Sequence, residues 1–219
     1  MGPPSKEEIH LQEIIPDMIR PGTGLSYPIW QSWPELNGKL GGWLANTPGS
    51  RVVNIQVFNA KMKKGIEKAT LLTDCTDEVQ TSSLARDYVK ILRVFYTTGS
   101  SIQSQPVVNF SSKLFVPVRV GQRTFEGMAQ TMYRMEAWLR MAGVPIYNVE
   151  TVQYLLEESK TLGVELDKCS WNENPNVGNI YVTAVRVYFP CTFAEPDPRL
   201  LPPQHPAFVP GDGSCCSVS

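Results

Sequence analysis

The chain has 219 residues, with 20 Lys+Arg against 21 Asp+Glu, 42% apolar residues and 19% charged ones. That balance excludes a disordered chain, and a net charge of −1 excludes global attraction to nucleic acid or anionic lipid, so either partner must meet a local patch. No apolar run approaches the roughly 18 residues of a membrane-crossing helix. Of the 18 prolines, seven lie between Pro3 and Pro48 and seven between Pro190 and Pro210.

This distribution predicts three regions: an N-terminal helix and a Trp-, Pro- and Gly-rich arm over 1–50, an α+β body over 51–189, and a flexible Pro-rich tail over 190–219. Ser5 and Glu8 form a capping box ahead of Ile9, Ile14 and Ile15, which predicts a short helix from Lys6 that stops at Pro16. Between Pro21 and Ser50 repeated proline and glycine predict an irregular arm packed on the body. It carries Trp30, Trp33 and Trp43, which are too large to leave exposed without cost and are candidate anchors for a protein partner.

Residues 51–59 alternate Val53, Ile55 and Val57 with Val52, Asn54 and Gln56, the pattern of a half-buried strand. A basic turn follows, and 66–73 returns as a possible second strand of a hairpin. From Thr81 the apolar residues Leu84, Tyr88, Leu92 and Phe95 recur at helical spacing, with Gly99 as the stop, and predict an amphipathic helix. Residues 107–120 read as extended chain, with Pro117 forcing an edge or a break. A second helix over about 125–141 is expected from the stripe Phe125, Met128, Met132, Met135 and Leu139, which reads as core packing. Asn148 is the expected cap of a third, with Val152, Leu155 and Leu156 inward. Residues 180–189 form the clearest strand. The order of elements is not a steady βαβ alternation, so the fold class is α+β: one domain with a small, mostly antiparallel sheet and about three amphipathic helices.

The most specific chemical pattern is Cys216-Ser217-Val218-Ser219, which fits the C-a-a-X prenylation signal with a farnesyl-type serine. One isoprenoid gives only marginal membrane binding, so Cys215 is the natural second acylation site. Lys61, Lys63, Lys64 and Lys68 form the concentrated positive cluster, joined by Arg51. It reads either as a solubilising turn or as a contact for anionic headgroups, worth on the order of 1 kcal/mol per lysine. Nucleic acid is a weaker match, because no aromatic residues interleave the lysines.

Catalytic patterns are sparse. His10 precedes the body and His205 lies in the tail, neither well placed as a general base. Five cysteines without C-x-x-C spacing do not make a zinc site, and Asp74, Asp77 and Glu78 read as acids that offset a helix dipole. No cofactor is expected. The N-terminus lacks the apolar region of a secretory signal, so the expected location is the cytoplasm, peripheral on the cytoplasmic face of a membrane. The expected function is a nonenzymatic membrane-associated adaptor or structural protein that binds a protein partner or itself. The alternative is a self-assembling viral matrix-like or coat-associated subunit.

Overall fold

The computed structural model of the protein describes residues 8–22, 28–63, 70–72, 86–98, 110–121, 124–156, 170–173 and 180–202. The strands are β1 (Ile9–Ile14), β2 (Met18–Arg20), β3 (Ile29–Trp30), β4 (Ser50–Lys63), β5 (Thr70–Leu72), β6 (Arg86–Thr98), β7 (Ser111–Phe115), β8 (Asn148–Leu156), β9 (Ser170–Glu173) and β10 (Ile180–Phe189). The helices are α1 (Trp33–Ala45) and α2 (Met128–Ala142). The fold is α+β with antiparallel sheets, and the described residues contain two α-helices rather than three.

The larger sheet has the order β1-β6-β4-β5, with β9 pairing β6 beyond the end of β1. The smaller has the order β7-β10-β8, and β2 pairs with β3 in a separate two-stranded ribbon. Strand β10 alternates between two cores. Val185, Val187 and Phe189 pack with Phe115 of β7 and with Met135 and Trp138 of α2. Tyr188, from the opposite face, joins Trp33, Leu36, Leu40 and Leu44 of α1, Ile14 of β1, Ile55 of β4 and Leu92 and Val94 of β6. The molecule is therefore layered, with α2 on one face of the small sheet and the large sheet together with α1 on the other.

Four local expectations are corrected. Ile9–Ile14 is a strand rather than a helix, because six consecutive residues pair with β6, from Ile9 opposite Thr97 to Ile14 opposite Leu92. The predicted 81–97 helix is replaced, over its described part, by β6. Its two faces are both apolar, with Val89 and Ile91 buried as well as Leu92 and Val94, and paired strands on both sides satisfy its main chain. The predicted helix after Asn148 is β8, nine residues paired with β10, which turns Val152 and Tyr154 inward. The arm is not irregular throughout, since it contains α1. That helix starts where the Glu35 carboxylate accepts the Ser32 amide at 2.6 Å and its hydroxyl at 2.7 Å, and it buries leucines four apart.

Other expectations match their elements: β4, β10, the extended β7 ending before Pro117, and α2, capped by Gly143 at φ +61°. The chain does not leave the body at Pro190. Cys191, Phe193 and Leu201 pack on the core between β10 and α2, and residues beyond 202 lie outside the described ones.

Candidate functional site

Two places concentrate unusual side-chain chemistry: a polar cluster between the sheets, and the outer edge of the large sheet. In the first, β4 and β8 belong to different sheets yet are joined by side chains. The Glu150 carboxylate accepts the Val57 amide at 2.7 Å, and Asn148 Nδ2 donates to the Ile55 carbonyl. The second Glu150 oxygen accepts the Tyr188 hydroxyl at 2.5 Å. Burial raises the Glu150 carboxyl above its ordinary range, against the lowering effect of Tyr188, the Val57 amide and the Arg186 charge. Burial likewise pushes the Tyr188 phenol well up, helped by the negative Glu150 beside it.

Arg186 is almost wholly buried, with its guanidinium 3.5 Å from the centre of the Trp33 ring. It donates to the Tyr154 hydroxyl and, at 3.4 Å, to Ser112 Oγ. The same Ser112 oxygen accepts Trp33 Nε1 at 3.2 Å and Asn37 Nδ2 at 3.1 Å, so one hydroxyl ties α1 to β7 and β10. Lys90 lies 4.1 Å over the Tyr154 ring. A half-buried carboxylate of raised pKa has the chemistry of an acid or base, but both Glu150 oxygens here hold packing contacts.

The second place is the solvent face at β1. Tyr96 turns toward α1, 5.0 Å from Trp43 and 5.4 Å from the His10 ring, so its neighbours Phe95 and Thr97 take the other face. Leu11 stands opposite Phe95 and Ile9 opposite Thr97. Val53 bulges out of the β4 register beside Phe95. Ile9 and Leu11, 62% and 52% exposed, form an apolar row on the outer strand of the sheet, and Val53, 47% exposed, lies across β6 on β4. Glu13 pairs with Arg93 at 2.8 Å at its end, and Arg93 stacks on Phe58. Among the described residues β1 pairs with β6 alone.

The residues singled out from sequence are scattered. Trp33 lies inside, and Trp43 packs half-buried against the same core, so both hold α1 in place. Trp30 sits in β3 opposite Met18. Lys61 is half-buried in β4, Lys63 ends that strand, and Lys64, Lys68, Cys215 and Cys216 lie outside the described residues. Met135 is core and Met132 packs beside it, whereas Met128 is exposed. The apolar row escapes sequence reading because the Ser5–Glu8 capping box predicts a helix through Ile9. The alternation of Ile9, Leu11 and Glu13 against His10, Gln12 and Ile14 was its available signal.

Among the described residues no group of three or more His, Cys, Asp or Glu is placed to hold a metal ion, and no helix is long and apolar enough to cross a membrane. No family model, curated protein or solved structure matches the chain.

Proposed function

We propose that the chain is a nonenzymatic structural or adaptor protein that works through its surfaces, held at the cytoplasmic face of a membrane by a prenylated Cys216 with Cys215 as the second acylation site. The observation that supports a binding role is the apolar row on β1. An edge strand with exposed Ile9 and Leu11 offers a partner both main-chain hydrogen bonds and apolar side chains. The inward-facing ionisable groups agree with this reading, since Glu150, Arg186 and the Glu126–Arg134 pair serve packing contacts. The membrane part rests on the Cys216-Ser217-Val218-Ser219 pattern, with Lys61, Lys63, Lys64 and Lys68 as an added attraction to anionic headgroups.

Expression in a eukaryotic cell with and without Cys216→Ser tests the tether. The parent should carry an isoprenyl mass and fractionate with membranes, and Cys216→Ser should stay soluble. Equal partition of the two, with no isoprenyl mass on the parent, removes the tether from the reading.

A second reading, a self-assembling matrix-like or coat-associated viral subunit, is favoured by the same edge. Two β1 strands related by a two-fold axis through Leu11 would pair antiparallel and keep each apolar row on one face of a continuous sheet. A monomer by light scattering at high concentration, unchanged by Leu11→Lys, counts against it.

A further inference from the structure

Past the end of β10, residues 191–201 form a strap across the end of α2. Phe193 packs edge-on against Trp138, with ring centres 5.0 Å apart, and against Phe189 at 4.9 Å. Two residues later the Glu195 carboxylate accepts the Trp138 indole N–H at 2.9 Å and pairs with Lys113 Nζ at 2.5 Å. Lys113 itself lies over the Trp138 ring, 4.9 Å from its centre. The strap therefore fills a recess built by β7, β10 and α2, and the recess reads two features at fixed spacing. An aromatic ring enters against Trp138 and Phe189, and a carboxylate is met by a lysine and an indole N–H.

The hold is made by side chains. Among the described residues the strap joins no strand ladder, and its main-chain hydrogen bonds are those of its own turn, from Leu200 to Asp197 and from Leu201 to Pro198. Ser111 Oγ adds one contact to the Cys191 carbonyl at 2.5 Å. Pro190, Pro196, Pro198 and Pro202 restrict the segment before it docks, so little entropy is lost on seating it. No strap residue is fully buried, whereas Trp138 and Phe189 beneath it are 3% and 0% exposed. The carboxylate side of the ion pair is open to water, with the Glu195 side chain 60% exposed against 24% for Lys113. Release of a segment held this way breaks no hydrogen bond of either sheet and exposes only the ring faces of Trp138 and Phe189 and the Lys113 ammonium beneath it.

We propose that this recess is a recognition site for a Phe-x-Glu segment, filled in the monomer by Phe193 and Glu195 of its own chain and in an assembly by the same strap of a second copy. The occupant is specified by the strap seated there, because any copy that lifts its strap presents both the empty recess and the matching ligand. This site is separate from the β1 edge and from the tether.

The Lys113–Glu195 pair supplies the test, since a carbodiimide joins a lysine and a carboxylate in direct contact with loss of water. Full-length protein of natural isotope content is mixed with 15N-labelled protein, incubated, cross-linked and digested. Peptide pairs joining Lys113 to Glu195 with mixed labels, rising with protein concentration and absent from Glu195→Gln, are the expected result. Leu11→Lys should leave them unchanged. Lys113–Glu195 pairs that carry one label only at every concentration would overturn exchange between copies, and the absence of any Lys113–Glu195 product would overturn the recess itself.

Discussion

Glu150 and Glu126 show how a carboxylate can respond to an interior in opposite senses. Burial raises the Glu150 carboxyl because its hydrogen bonds and the Arg186 charge do not repay the lost hydration. At Glu126 burial also raises it, but the Arg134 guanidinium, the Val118 main chain and the Thr131 hydroxyl outweigh that and bring the value below 4.5. The linkage signs follow. Folded Glu150 holds a proton that the unfolded chain releases near 4.5, so its contribution is full below that pH and is lost as pH rises through the folded value. Glu126 contributes fully above 4.5 and loses that contribution as pH falls through its lowered value. Thermal melts of Glu150→Gln and Glu126→Gln against the parent across the acid range should therefore diverge from it in opposite directions. Arg186→Met removes the hydrogen bonds to Tyr154 and Ser112 and the stacking on Trp33 and should cost about 1 to 3 kcal/mol in chemical denaturation.

At the scale of elements, the helix expected over 81–97 failed for a definable reason. Leu84, Tyr88, Leu92 and Phe95 satisfy a helical period, but a strand buried on both faces is apolar at nearly every position, so any period can be drawn through it. Val89, Ile91 and Val94 were the β-branched counter-signal. β10 and α2 were legible because each carries its pattern within one segment, strand alternation in the first and a helical stripe ended by Gly143 in the second. α1 was hidden by its glycines, whose cost is met by burial of Leu36, Leu40 and Leu44. Two consequences can be measured. Gly38 and Gly42 have no atom within 4 Å of an added Cβ, so Gly38→Ala and Gly42→Ala should each stabilise the protein by about 0.5 to 1 kcal/mol. Leu40→Ala should cost about 2 to 5 kcal/mol, and an unchanged denaturation midpoint would remove α1 from the core.

For the whole molecule the question is which surface meets a partner. The lysine cluster and the terminal cysteines were visible as residue types, yet the β1 row depends on pairing between Leu11 and Phe95, residues far apart in the chain. Ile9→Lys with Leu11→Lys puts charge on an edge strand, the device by which natural sheets resist pairing. That double variant should keep the parent's melting temperature within a few degrees and lower its apparent mass at high concentration in light scattering. A loss of stability without any change in mass would mean that the row is covered within the monomer.

The contacts of Asn148 and Glu150 bear on how the chain avoids misfolding. Ile55 and Val57 are two residues apart, so their main-chain groups point the same way, and they meet two side chains that are also two apart on β8. A slip of β4 by one residue would still bring an amide and a carbonyl to those side chains, because main-chain groups are alike, but it would turn Ile55 off the core and put Asn54 or Gln56 in its place. The contacts of Asn148 and Glu150 join the two sheets at one place along β4, and the alternation of core and outer side chains decides which residues stand there. An extra residue inserted near Val53, where the strand already bulges, would be absorbed in the bulge, whereas one inserted between Ile55 and Val57 would turn one of those two core-facing side chains outward.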